Sequence, residues 1–292
     1  MSSDRSTMTP ARIFILISLA MIAFAGNSLL CRLALKNTAI DAASFTTLRL
    51  VSGALALVLL VKLRGRLPAL GGSWLSALAL FVYAAGFSFA YIDLPVATGA
   101  LLLYGAIQAT MIGHGVWKGE SLGPVQVLGL LLALGGLVGL LLPGFSVSSS
   151  YGSILMIGAG VAWGAYSLRG KAAGDPRSVS AGNFLRAVPM ALVLSLFMSG
   201  HAELDIAGVG YAVMSGALAS GLGYVVWYAV LPALTSTHAS IVQLSVPVIT
   251  AVAGDLFLGE AITPRLILAT IAILGGIALV ILARRRPVPV ER

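Results

Sequence analysis

The chain has 292 residues, 59% of them hydrophobic and 10% charged, with a formal net charge of +8. A soluble domain carries about 25% charged residues, so the composition excludes a water-soluble globule, and the excess of Lys and Arg reads as a marker of cytoplasmic loops rather than of a nucleic-acid partner. The single cysteine, Cys31, excludes an intrachain disulfide and a thiolate metal cluster.

Crossing a bilayer takes about 20 apolar residues. Runs of that length predict ten spans: 12–34, 42–62, 74–92, 95–116, 123–142, 151–169, 179–199, 207–229, 236–258 and 263–283. Runs such as Val125–Leu142 do not alternate, which argues against β-barrel strands. The first span follows Arg5 and Arg12 and holds Ala23-Phe24-Ala25, as a secretory leader would. Its apolar run continues past that point, so we read it as an uncleaved first helix. Breakers separate the later spans: Pro68 with Gly71-Gly72, Pro95, Pro124, Pro143-Gly144, Asp175-Pro176, Pro232 and Pro264. The connections are short and leave no room for a soluble domain.

The chain repeats itself at an offset of 140 residues. Gly119-Glu120-Ser121-Leu122-Gly123-Pro124 joins the fourth and fifth spans, and Gly259-Glu260-Ala261-Ile262-Thr263-Pro264 joins the ninth and tenth. Leu94/Leu234, Thr110/Thr250, Leu128/Leu268 and Gly135-Gly136/Gly275-Gly276 keep the register. With the N-terminus inside, the inner segments hold Arg5, Arg12, Lys62, Arg64, Arg66, Lys118, Arg169, Lys171, Arg177, Arg284, Arg285, Arg286 and Arg292. The outer segments hold only Arg32, Lys36 and Arg265. This bias predicts that both termini are cytoplasmic. Five spans per repeat is an odd number, so the second repeat must run inverted. The expected architecture is an all-α polytopic membrane protein of two inverted five-helix repeats, residues 12–143 and 144–285, with tails 1–11 and 286–292. Inverted repeats are the architecture of alternating-access carriers.

Ten helices in two five-helix repeats, each joined by Gly-Glu-x-x-x-Pro, resemble the EamA-type branch of the drug/metabolite transporter superfamily. Trp163-Gly164-Ala165-Tyr166, Phe45-x-x-Leu48-Arg49, its counterpart Phe184-Leu185-Arg186, and Pro247 belong to the same resemblance. Within the branch the chain is most similar to YddG-type exporters of aromatic amino acids. It departs from the pattern at Phe24, where the family tends to have Trp, and at Ile107, where the second half has Pro247. The resemblance implies export or exchange of small metabolites without ATP. The chain agrees in lacking a Gly-x-x-x-x-Gly-Lys-Ser/Thr loop.

The resemblance also implies a central cavity between the repeats, lined mainly by helices 1, 3, 4, 6, 8 and 9. Polar groups facing lipid are costly, so polar and aromatic residues of those helices are the candidates. On helix 1 the choice is Asn27 rather than Ser28, whose hydroxyl its own helix satisfies more easily. Tyr83, Phe87 and Tyr91 form a stripe on helix 3, readable as packing or as an aromatic wall, with Tyr83 at mid-span. Helix 4 offers Tyr104 and Gln108; the amide of Gln108 suits an amino acid's charged groups or an interhelical hydrogen bond. Trp163 and Tyr166 lie three apart on one face of helix 6, as cavity wall rather than interfacial belt. Tyr224 stands on helix 8 with Trp227 and Tyr228, which read as belt. Helix 9 carries His238, Gln243 and Ser245 before Pro247, which frees backbone carbonyls; His238 also reads as interfacial.

Arg49 and Arg186 recur at equivalent places. One could anchor a carboxylate, but recurrence favours structural roles, with each snorkelling to the interface and bonding carbonyls. Glu120 and Glu260 read as carboxylates at the positive end of the fifth helix of each repeat. Gly135/Gly139 and Gly160/Gly164 have the spacing of close helix packing.

The expected function is a secondary transporter of small zwitterionic or aromatic metabolites, above all amino acids. No cofactor, metal or catalytic residue is expected. Its partners would be the bilayer and an amino-acid-like solute, with a homodimer left open, and its place a bacterial inner membrane. Asp255, near the end of helix 9, is the one acid inside a span; tight ion coupling usually needs a mid-membrane carboxylate, so facilitated efflux or exchange is favoured. The alternative is an intramembrane enzyme acting on a lipid-like substrate. It would need acid–base groups clustered at one depth, and His114 and His238, near the inner side, have no acidic partner at theirs.

Overall fold

The structure is a computed structural model describing residues 9–63, 71–119, 121–141, 150–170, 175–230, 233–234 and 242–283. The described residues are helical, with no strand. The helices are α1 (Pro10–Asn37), α2 (Ala42–Lys62), α3 (Trp74–Ala90), α4 (Val96–Trp117), α5 (Pro124–Leu141), α6 (Ser150–Gly170), α7 (Pro176–Phe197), α8, α9 (Ser245–Leu258) and α10 (Pro264–Leu282). The helix α8 runs without interruption through an α-helical Ile206–Val213, a π-helical Met214–Leu222 and an α-helical Gly223–Val230.

Local sequence sets the ends. Asp41 accepts from the backbone of Ala43 and Ser44, both at 2.9 Å, and opens α2. Thr9, Asp175 and Thr263 do the same for α1, α7 and α10, each followed by a proline in the first turn, where its missing N–H costs nothing. The repeated motif ends one helix and starts the next. Gly119 and Gly259 both take positive φ, 92° and 63°, the left-handed stop that glycine adopts without a Cβ clash. Pro124 and Pro264 then open α5 and α10.

Among the described residues, six helices are long and apolar enough to cross a membrane: Pro10–Asn37, Ala42–Lys62, Val96–Trp117, Arg177–Phe197, Ile206–Trp227 and Pro264–Leu282. Trp74–Ala90, Pro124–Leu140 and Ser245–Leu258 are shorter apolar helices. Large apolar side chains cover the outside, among them Phe14, Leu59, Leu131, Leu196, Leu256 and Leu268, all more than half exposed. A monomeric soluble protein does not expose apolar surface on this scale; lipid is its natural solvent.

Inside, α5 packs along α10 and α2 along α7. Both α3 and α4 lie on α6, while α1 lies on α8 and α9, and α4 meets α9. Glycines permit the closest crossings. A Cβ at Gly160 would meet Ala106 at 2.6 Å, and one at Gly164 would meet Thr110 at 2.9 Å, so this pair closes α6 onto α4 as its spacing predicts. The other predicted pair differs: Gly135 and Gly139 have nothing within 4 Å of a would-be Cβ. The packing glycines of α5 are Gly129 and Gly136, two turns apart on the face that meets α10. A Cβ at Gly129 would lie 2.5 Å from the carbonyl oxygen of Gly276.

The junction of the two expected repeats, at 143–144, lies outside the described residues, as do Glu120 and the basic clusters Arg64, Arg66 and Arg284–Arg286.

Candidate functional site

Four helices bring their polar groups together at one point. Asn27 of α1 donates its amide to the hydroxyl of Tyr83 on α3, at 3.3 Å. Ser215, in the π-helical part of α8, donates to Asn27 Oδ1 at 2.7 Å. Arg49 of α2 donates from Nη2 to the same Tyr83 hydroxyl at 3.0 Å. All four side chains are buried. In an apolar core such groups stay only where they satisfy one another.

The π-helical winding helps to put Ser215 there. Wide i→i+5 turns are rare and cluster at functional sites. Here the wide turn faces inward through Ser215, Gly216, Ala219, Ser220 and Gly221, all buried. A Cβ on Gly216 would collide with the Arg49 carbonyl and the Ser52 hydroxyl, so only glycine lets α8 approach α2 this closely.

An aromatic cluster surrounds the network. Trp163 is its hub, with ring centroids 4.6 Å from Tyr83, 5.3 Å from Tyr166 and 5.5 Å from Tyr224. Tyr83 continues through Phe87 to Tyr91 at 5.4 and 4.8 Å. Phe24 meets Tyr224 and Trp227 edge-on at 5.9 and 6.1 Å. Trp227 is thus buried against α1. That differs from the interfacial belt expected of it, because α8 turns this face toward α1 rather than lipid.

The structure therefore brings Asn27, Tyr83, Trp163, Tyr166 and Tyr224 together. Tyr166 is also held from α7, where Asn183 donates to its hydroxyl at 3.5 Å. Tyr104 and Gln108 are buried on α4 but make no ring contact or side-chain hydrogen bond in this cluster among the described residues. Ser245 and Gln243 stand half-buried at the start of α9, and the Ser245 hydroxyl bonds locally to the Val242 carbonyl at 2.7 Å. Pro247 falls in the first turn of α9 rather than breaking a longer described helix. His238 lies outside the described residues.

The two repeated arginines part company. Arg186 behaves as a structural arginine: its Nη1 donates to the carbonyls of Gly71 at 2.7 Å and Gly182 at 2.9 Å. Arg49 does not snorkel. It is 2% exposed, bonds no carbonyl, and lies with Cζ 4.8 Å from the Phe87 ring centre and 5.2 Å from that of Tyr83. Sequence reasoning missed Ser215 as well; a serine in a run of glycine and alanine gives no sign of its partner.

A second polar cluster ties three segments at the end of the bundle where α1 stops. Arg32 pairs with Glu260 at 2.9 Å and donates to the carbonyls of Tyr91 and Ile92 at 2.8 and 2.7 Å. Glu260 accepts the backbone N–H of Val96 at 2.6 Å and faces Lys36 at 3.7 Å. Its carboxylate therefore sits at the positive end of α4, not of α10 as local sequence implied; α10 is capped by Thr263 instead.

A bundle of apolar helices enclosing a buried aromatic and polar cluster is the build of a multi-pass membrane protein. The profile of the EamA-like transporter family matches residues 150–282. An uncharacterized protein of Pseudomonas aeruginosa is 58% identical over 279 residues, covering 95% of this chain and 97% of that one. An uncharacterized transporter of Archaeoglobus fulgidus is 28% identical, covering 84% and 89%. The threonine/homoserine exporter RhtA of Salmonella typhimurium is 33% identical over 161 residues, about half of each chain at 52% and 53%. A protein crystal structure with 20% identity superimposes with a TM-score of 0.66 over 95% of this chain and 100% of that one, a likeness of fold. The second half of the chain thus matches the EamA-like transporter family, and the relatives whose names state a role are transporters or exporters.

Proposed function

We propose that the chain is a secondary transporter that exports or exchanges amino acids, aromatic ones foremost, by alternating access around the Trp163 cluster. The observation that carries this is the cluster itself, where three tyrosine rings lean against one tryptophan beside the Asn27–Tyr83–Ser215 network. Clustered rings offer faces to a planar or aliphatic side chain and, through their quadrupoles, to an ammonium group. The name of the RhtA relative points to the same class of solute.

The helix contacts favour two inverted repeats. Shifting every helix by five maps α3 on α6 to α8 on α1, and α4 on α6 to α9 on α1, while α5–α10, α2–α7 and α4–α9 map onto themselves. With an N-in, C-in orientation in a bacterial inner membrane, the Arg32–Glu260 cluster closes the outer end. Tyr83, Tyr166 and Tyr224 are each less than 10% exposed, so the site is shut in this conformation and must open to load.

The test is flux. Purified protein in liposomes should release preloaded radiolabelled phenylalanine, tryptophan or threonine down a gradient with no other protein present. No flux above empty vesicles across that panel would overturn the reading.

A further inference from the structure

Arg49 carries the one buried side-chain nitrogen or oxygen without a hydrogen-bond partner among the described residues: its Nη1. The arginine is 2% exposed, and no carboxylate of the described residues lies within 4 Å of it. The rings of Tyr83 and Phe87 lie against the guanidinium. They soften the charge but supply no lone pair to Nη1. A buried cation left in this state is unfavourable unless something completes it.

The repeat provides an internal comparison. Arg186, at the equivalent place, has its Nη1 filled by two carbonyls. Backbone carbonyls thus satisfy the arginine of the second repeat, whereas Arg49 bonds none. Its Nη2 goes instead to the Tyr83 hydroxyl, whose ring is 4.6 Å from Trp163. That hydroxyl accepts from both Arg49 and Asn27, so its own hydrogen is free for a further acceptor. Two donors, Nη1 of Arg49 and the Tyr83 hydroxyl, meet beside the aromatic cluster. That is a match for the two oxygens of a carboxylate.

We propose that Arg49 is the anion-binding residue of the transport site, taking a carboxylate oxygen of the solute on Nη1, so that the solutes carried are carboxylates. This rests on the transporter reading above and narrows it: the amide or the decarboxylated amine of a good substrate is carried far more slowly than the acid. The apolar ring wall admits the side chain, and Arg49 selects the acid.

Two measurements on the full-length protein separate the two claims. In liposomes, phenylalanine should move, while phenylalaninamide and phenethylamine should move about 10- to 150-fold more slowly, the range expected for losing a hydrogen bond to a charged group. Arg49→Gln and Arg49→Lys should both lose that preference, Lys because it lacks the planar fork. In detergent, phenylalanine but not phenylalaninamide should raise the unfolding temperature of the wild type, and Arg49→Gln should abolish the rise. Arg49→Gln without ligand should unfold no earlier than wild type, since it removes an unpaired charge; a structural arginine would instead lower that temperature. Amides and amines carried as fast as acids would overturn the role of Arg49 and leave the transporter standing. No flux, but acid-selective stabilisation lost in Arg49→Gln, would overturn the transporter and keep the anion site. Neither flux nor stabilisation would overturn both.

Discussion

Replacing Glu260 by Gln should loosen the end of the bundle where α1 stops. The carboxylate holds Arg32 at 2.9 Å and the Val96 N–H at 2.6 Å, and the two charged side chains are 10% and 11% exposed. Removing one member of a buried pair costs about 3–5 kcal/mol, because the other charge is left uncompensated. Arg32 keeps its two carbonyl acceptors, so the low end applies, about 3 kcal/mol, or roughly a 150-fold shift between a closed and an open arrangement. Leu94, fully buried two residues before Val96, reports on it. On a Cys31→Ala background, Leu94→Cys should react slowly with a membrane-impermeant maleimide. Adding Glu260→Gln should speed that reaction up to roughly 150-fold, until the open form dominates. Asp255→Asn, at an exposed carboxylate outside the cluster, should leave the rate alone. An unchanged rate in folded Glu260→Gln protein would refute the idea that this cluster holds the end shut.

Gly216→Ala should lower thermal stability in detergent by at least the 1–3 kcal/mol of an overpacked core, since its Cβ meets the backbone of Arg49. Gly26→Ala, with nothing within 4 Å, should be neutral or stabilising by about 0.5–1 kcal/mol. Asn27→Ala leaves the Ser215 hydroxyl without its acceptor, a loss of about 1–3 kcal/mol; the added change Ser215→Ala should restore part of it. Trp163→Ala removes three ring contacts of about 0.5–1.5 kcal/mol each, and should cut flux at least tenfold while the protein still elutes as a folded species. Normal flux in that variant would take Trp163 out of the site.

Hydropathy and breakers carried most of the fold. Apolar runs located the helices, and Gly-Glu-x-x-x-Pro marked where α4 and α9 stop in a left-handed glycine. Spacing also carried part of the aromatic cluster: Trp163 and Tyr166, three apart on one helix face, do meet, and Tyr83 joins them. The failures share one cause, which is that each depends on a partner distant in sequence. Symmetry made Arg49 look like Arg186, yet their environments differ because Tyr83 stands only beside the first. Glu260 looked like a cap for the helix that follows it, but the N–H it takes belongs to Val96, 164 residues away. Nothing local says that Ser215 faces Asn27, whose amide is 188 residues away.

The seam between α5 and α10 limits what change the chain tolerates. Most core positions can be rescued: when one side chain grows, a neighbour can shrink. Gly129 and Gly276 meet backbone to backbone, and neither has an atom left to give up. Damage at either has no second-site remedy within the pair. A randomised library selected for folded protein should therefore return glycine at both positions, while Leu131 and Leu268 on the exposed flanks of the same helices drift among apolar residues.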